Sequence, residues 1–132
     1  MSGVLDTHAI LWYLLDVKNL SAAAFSFIDH AATSGSPIYI SAISLVEVAY
    51  LAERGRIPVN AFDLLIAELE TKNSAFTISV IDRNIAESLR NISRDLVPDM
   101  PDRIIAATAV YLKLPLITCD ARIRSLGIHT IW

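Results

Sequence analysis

Apolar and polar positions follow two rhythms along the chain, and the switches between them mark the elements. Val4-Leu5 is a short apolar run that stops at Asp6, and the helical pattern of Ile10, Leu11, Trp12, Tyr13, Leu14 and Leu15 follows at once. This predicts a buried strand that ends in an acid and hands over to a helix. Asp16 to Leu20 reads as a connection, and Ser21 as the N-cap of a second helix running to about Thr33, before Ser34-Gly35-Ser36-Pro37 breaks the chain. Ile38-Tyr39-Ile40-Ser41 is β-branched and aromatic, a second strand, and Ser44-Leu45-Val46-Glu47 opens a third helix that ends near Gly55. A fourth helix follows Pro58 and carries Leu64, Leu65, Ala67, Glu68 and Leu69. Phe76 to Ile81 alternates weakly, as a third strand would. Asp82 starts another helix, with Ile85, Ala86, Leu89 and Ile92 on one core-facing stripe. Pro98-Asp99-Met100-Pro101 introduces a sixth helix from Asp102 to about Leu112, nearly all apolar, as expected of a helix buried beside a sheet. Leu116 to Cys119 forms a strand ending at Asp120, and Ile128 to Ile131 the last one. Strands alternating with helices imply right-handed parallel crossovers. The fold class is therefore α/β, a three-layer helix/sheet/helix sandwich with a mainly parallel central sheet.

That architecture gives the acids a meaning. In open parallel sheets, ligands bind in the crevice outside the carboxyl ends of the strands. Asp6 and Asp120 both follow a strand and so reach the same rim. Glu47 and Asp102 sit in the first turns of helices entered from that rim, which brings all four acids towards one crevice. Helix capping is the competing explanation for each: Asp6 or Thr7 can cap the first helix, Ser44-x-x-Glu47 fits a capping box, and Asp99-x-x-Asp102 can act similarly. Packed together, four carboxylates repel one another and raise at least one pKa unless cations hold them ionised. Oxygen-only ligation suits Mg2+ or Mn2+, whereas the three His and one Cys have no zinc spacing.

Length and charge narrow the classes. A chain of 132 residues suits a single domain spanning 1–132. No apolar run approaches the about 18 positions of a membrane span, and the N-terminus lacks the basic flank and cleavage site of a signal peptide. The lone Cys119 excludes an internal disulfide and fits a reducing, cytoplasmic setting. Four glycines without a Gly-rich loop exclude a P-loop and a dinucleotide fingerprint. A net charge of −3 argues against a surface wholly devoted to nucleic acid. With four of the 14 acids committed to cations, however, the remaining 10 face 11 Lys and Arg, eight of them Arg, which permits an RNA substrate.

Leu5-Asp6-Thr7-His8, Ser44-x-x-Glu47, Asp99-x-x-Asp102-Arg103 and Thr118-x-Asp120, in this order, resemble the motifs of the PIN-domain ribonucleases, and most closely the VapC-type toxins of prokaryotic toxin-antitoxin pairs. The similarity spans nearly the whole chain. It departs from many relatives at Asp99-Met100-Pro101-Asp102-Arg103, which lacks a Phe and moves the Pro. The resemblance implies hydrolysis of RNA phosphodiesters, with Asp6, Glu47, Asp102 and Asp120 holding one or two Mg2+ or Mn2+ ions. Asp6 and Asp102 would be the strongest ligands and Asp99 a weaker candidate. It also implies a cognate antitoxin protein that blocks the crevice, and commonly a homodimer.

Thr7, Ser44 and Thr118 are hydroxyls beside these acids, suited to fixing carboxylate orientation, with capping the other explanation of Thr7 and Ser44. Arg103 is placed to meet a substrate phosphate or to form a structural salt bridge. Arg54 and Arg56 read as solvated helix ends, and Trp12, Tyr13, Tyr50 and Cys119 as core or interface packing. Two other functions share these features. A Mg2+-dependent phosphatase or phospho-acceptor domain also gathers acids at strand ends, although the Asp-x-Asp of haloacid-type phosphatases is interrupted here by His8. A noncatalytic interaction module would use the acids only as caps and salt bridges.

Overall fold

The computed structural model describes residues 1–132. Its elements run β1 (Gly3–Leu5), α1 (Thr7–Leu15), a 3-10 turn (Val17–Asn19), α2 (Ala22–Ser34), β2 (Ile38–Ser41), α3 (Ala42–Glu53) and α4 (Ala61–Glu70). They continue with β3 (Phe76–Ser79), α5 (Arg83–Ser88), a second 3-10 turn (Leu89–Asn91), α6 (Met100–Leu112), β4 (Leu116–Ile117), α7 (Ala121–Arg124) and β5 (Thr130–Ile131). All five strands are parallel, in the order β3-β2-β1-β4-β5. The chain winds outward from β1 through β2 to β3, then returns to the other side of β1. The order therefore reverses between β1 and β4, and a crevice opens there at the carboxyl rim.

Side chains alternate across the sheet, and the two faces build two cores. Leu5, Ile38, Ile40, Phe76 and Ile117 pack with α1, α2 and α4 through Ile10, Ala24, Ile28 and Leu65. Val4 and Leu116 point the other way, against Ile105, Ala106 and Ala109 of α6 and Ile123 of α7. Strands buried on both faces read as continuous apolar runs, as parallel strands do. At the margin of the first core, a Cβ placed on Gly3 would sit 2.7 Å from the Phe27 ring and 2.9 Å from the end of Ile117. The sheet and α2 close up only over a residue without a side chain.

Several elements differ from the sequence expectation in extent. The third strand stops at Ser79, and Val80 and Ile81 are exposed, because β2 offers no fifth partner beyond Ser41. The strands expected at 116–119 and 128–131 shrink to two residues each. The helix from Asp82 does not hold its stripe through Ile92. It tightens into the 3-10 turn after Ser88, which keeps Ile85 and Ile92 in the core and leaves Ala86 exposed. Helix α3 begins at Ala42, capped by Ser41, whose Oγ accepts from the Ile43 amide at 3.2 Å. Ser44 is therefore not the opening residue of that helix. The short α7 was not expected at all. Tyr50 is 62% exposed, which removes it from the core.

Candidate active site

Asp6 stands at the end of the central strand and serves two purposes with its two oxygens. Its Oδ1 accepts from the Ala9 amide at 2.7 Å and caps α1, while Oδ2 accepts from the Thr118 hydroxyl. Asp6 therefore caps α1 and at the same time lies beside Asp120 at the rim. The carboxyl is only 4% exposed, and burial raises its pKa, opposed by the Thr118 and Ala9 hydrogen bonds and by the charge of His8 and reinforced by Asp120. Thr118 is itself fixed. Its amide bonds to the Ile131 carbonyl at 3.2 Å, and its hydroxyl accepts from the Asp120 amide at 3.0 Å. One buried hydroxyl thus ties together the acids of β1 and β4. Asp120 caps α7 through Oδ1, accepting from the Ile123 amide at 2.9 Å, which is why a four-residue helix forms there.

Glu47 is held from the opposite side. The Thr7 hydroxyl donates to Glu47 Oε1 at 2.6 Å and lies 2.9 Å from Ser44 Oγ. Thr7 has one hydroxyl proton. With that proton on Glu47, Ser44 donates to Thr7, and the three residues form a directed relay that ends on the carboxylate. Neither Thr7 nor Ser44 caps a helix; both are buried and both orient Glu47. Burial raises the Glu47 pKa, with Thr7 opposing and the charges of Asp99 and Asp6 adding.

Asp99 and Asp102 come from the start of α6. Asp99 is the N-cap, its Oδ2 accepting from the Asp102 amide at 3.1 Å, with Pro101 in the first turn. Half-buried Asp102 has its pKa pushed up to about 7, first by burial and then by the charges of Asp99, Asp120, Glu47 and Asp6. These mutual effects bring every acid expected from the sequence into one crevice. No Lys or Arg forms a salt bridge with them, since the one salt bridge joins Arg83 and Glu87 on α5 at 3.0 Å.

Arg103 forms no salt bridge with a neighbouring acid and is engaged with backbone carbonyls instead. Its Nη2 donates to the carbonyls of Leu89 at 3.0 Å and Ile92 at 2.9 Å, and its Nε is buried without a partner. The side chain clasps the 3-10 turn to α6. A turn that ends with free carbonyls beside a buried helix needs such a donor. The sequence signal for this was the polar Arg directly before Ile104-Ile105 in an otherwise apolar helix.

The crevice is an all-oxygen donor set of carboxylates and hydroxyls, the chemistry preferred by hard divalent cations. The acids face one another without closing into a cage: no three His, Cys, Asp or Glu side chains are gathered tightly enough to hold an ion as they stand. The donor chemistry and the repulsion among the acids fit a hard divalent cation. Cys119 does not join this set, and burial raises its thiol pKa.

Residues 3–128 match the family described as PIN domain. The chain is 33% identical over 126 residues to Ribonuclease VapC22 of Mycobacterium tuberculosis, across 92% of this chain and 89% of that protein. Among solved structures, VapBC2 from Rickettsia felis, crystallised with a DNA fragment from its promoter, superposes with a TM-score of 0.74 at 15% identity over all of both chains. FitAcB from Neisseria gonorrhoeae gives 0.67 at 21% identity, covering 98% of this chain and 96% of that one. A toxin-antitoxin complex from Klebsiella pneumoniae gives 0.54 at 25% identity, covering 89% and 86%. A family match over nearly the full length, on a sheet whose reversal point gathers five acids, means that this chain belongs to the PIN-domain family.

Proposed function

We propose that this protein is a metal-dependent endoribonuclease and the toxin of a toxin-antitoxin pair, acting as one PIN unit. The observation that carries the reading is Asp102, a carboxyl pushed up to about 7 by burial and four neighbouring acids, which ionises fully at neutral pH only beside a cation. The kinship to a protein named a ribonuclease supplies the substrate class. The toxin-antitoxin complex among the similar structures supports an antitoxin protein as partner, and the homodimer is what the resemblance of the sequence motifs implies. A cytoplasmic setting agrees with the lone Cys119 and with the absence of any helix long and apolar enough to cross a membrane.

In this reading Asp6, Glu47, Asp102 and Asp120 hold one or two Mg2+ or Mn2+ ions, with Asp99 near enough to assist. Such an ion supplies Lewis acidity, favouring ionisation of an attacking water and offsetting charge on the phosphate oxygens. The chain's own part is orientation. Thr118 keeps Asp6 and Asp120 in register across the β1–β4 gap, the Ser44-Thr7 relay aims Glu47, and the Asp99 cap fixes the first turn carrying Asp102.

Cleavage of a mixed structured and single-stranded RNA pool with Mg2+, Mn2+ or EDTA, beside Asp6→Asn and Asp102→Asn, tests the proposal. Metal-dependent cutting that both variants lose is the expected result. Intact RNA under every condition rejects it in favour of a noncatalytic module.

A further inference from the structure

A cleft of about 420 Å3 runs alongside the acidic crevice, between the C-terminal part of α1, the first 3-10 turn and the segment after α3. Its wall nearest the acids is His8, two residues past Asp6 and exposed, with a charge that acts on both Asp6 and Glu47. The His8 ring lies 5.7 Å from Trp12, and Trp12 lies 5.5 Å from Trp132, so three aromatic rings follow one another, the first two of them lining the cleft. At the far end Asp16 and Asn19 line the cleft, joined by a bond from Asn19 Nδ2 to Asp16 Oδ2 at 3.1 Å. Arg56 comes in from the opposite side, exposed and free of any salt bridge. Apart from the acids, the machinery described so far contains nothing that would recognise an RNA base.

We infer that this cleft is a nucleobase subsite, which receives the base next to the scissile phosphate and sets the sequence context of cutting. The inference rests on the ribonuclease reading of the adjoining acids. Single-stranded RNA is recognised by bases splayed onto aromatic faces and hydrogen-bonded along their edges. His8 and Trp12 offer the aromatic surface, and Arg56 supplies a cation for the flanking phosphate in a chain that is otherwise acidic. Asp16 and Asn19 supply the edge. Once they bond to each other they retain more acceptor oxygens than donor hydrogens, so a base bearing an exocyclic amino group is favoured over uracil.

The only two tryptophans, Trp12 and Trp132, both lie in this aromatic ladder, so intrinsic fluorescence reports on the cleft. Asp6→Asn protein in EDTA would be titrated with a short single-stranded RNA and with the same oligomer made abasic at one position. Quenching by the complete oligomer, weakened about tenfold or more by removal of the base, is expected from the usual worth of base stacking. Cut-site contexts would then be sequenced for the wild-type enzyme, Trp12→Phe, Asn19→Ala and Arg56→Ala. Asn19 and Arg56 are exposed, so their loss leaves the fold intact. Asn19→Ala should relax discrimination against uracil at one position, and Arg56→Ala should raise KM several-fold with kcat held. Equal binding of the abasic and complete oligomers, or an unchanged context in all three variants of an enzyme that still cuts, overturns the subsite and leaves the nuclease standing. An unchanged context coupled with lost inhibition by a co-expressed protein partner assigns the cleft to that protein and also overturns it. If the wild type cuts no RNA, the nuclease reading fails separately, and oligomer binding alone decides the subsite.

Discussion

Asp102 lies under strong electrical tension, and its sign fixes what protons and metal do. Its pKa in the folded chain, about 7, lies above the ordinary value of 3.8. The folded state therefore binds the proton more tightly than the unfolded chain, and stability falls as pH rises from about 4 to about 7, then levels. In metal-free buffer, Asp102→Asn should lessen that decline, to which Asp6 and Glu47 also contribute, and raise the neutral-pH melting temperature by about 3–5 °C, equivalent to about 1 kcal/mol once the screening of a half-exposed group is allowed for. Scanning calorimetry across that range checks it; a variant no more stable than the wild type at pH 7 refutes the repulsion. Protons and cations compete for the same carboxyl, so cleavage at limiting Mg2+ should climb steeply through pH 7, and saturating Mg2+ should move the rise to lower pH.

Thr118 is the second residue with a sharp consequence. Thr118→Val keeps the volume and deletes the hydroxyl, leaving a buried Asp6 oxygen and the Asp120 amide without their partner. The expected cost is about 1–3 kcal/mol, with cutting strongly reduced. Thr118→Ser should recover most of both, measured by urea denaturation and by initial rates; failure of the serine would mean that the methyl group, not the hydroxyl, was what mattered.

Among the elements, α6 and the 3-10 turn before it form a unit clasped by Arg103. Arg103→Met keeps the length of the stem but deletes the Nη2 that donates to both the Leu89 and Ile92 carbonyls. Faster amide exchange over residues 89–97 and a fall in kcat with little change in KM are expected, because Asp102 adjoins the clasp. A change confined to KM would return Arg103 to the substrate. At the other end of the sheet, Gly3→Ala forces a methyl against the Phe27 ring and should cost about 1–3 kcal/mol as overpacking does.

These elements also mark how far the chain could be read unaided. Asp6 and Asp120 were legible because an apolar run stops at each, and Asp102 because an apolar helix opens there. The role of Ser44 was obscured because β2 passes into α3 with no linker, which moves the cap back to Ser41 and frees Ser44 for the relay to Glu47. Arg103 was illegible because its partners are carbonyls, which carry no side-chain signature, and they become free only because α5 ends at Ser88. The relation of His8, Trp12 and Trp132 joins residues at opposite ends of the chain, beyond the reach of any periodic pattern.

For the molecule as a whole, a cation should act as a structural ligand. Mg2+ or Mn2+ that binds only the folded state should raise the melting temperature of the wild type in proportion to the logarithm of its concentration, and should do so far less in Asp6→Asn. The same crevice couples distant parts of the sequence, since the β1–β4 pairing and the Thr118 bond close on Asp6 across 112 positions. That topology orders events during synthesis. During translation β1, β2 and β3 are made first and can pair, whereas Thr118 and Asp120 follow only after more than a hundred residues. Until Thr118 and Asp120 have been made the crevice is incomplete, and a stop codon anywhere before Thr118 yields a fragment with no complete site.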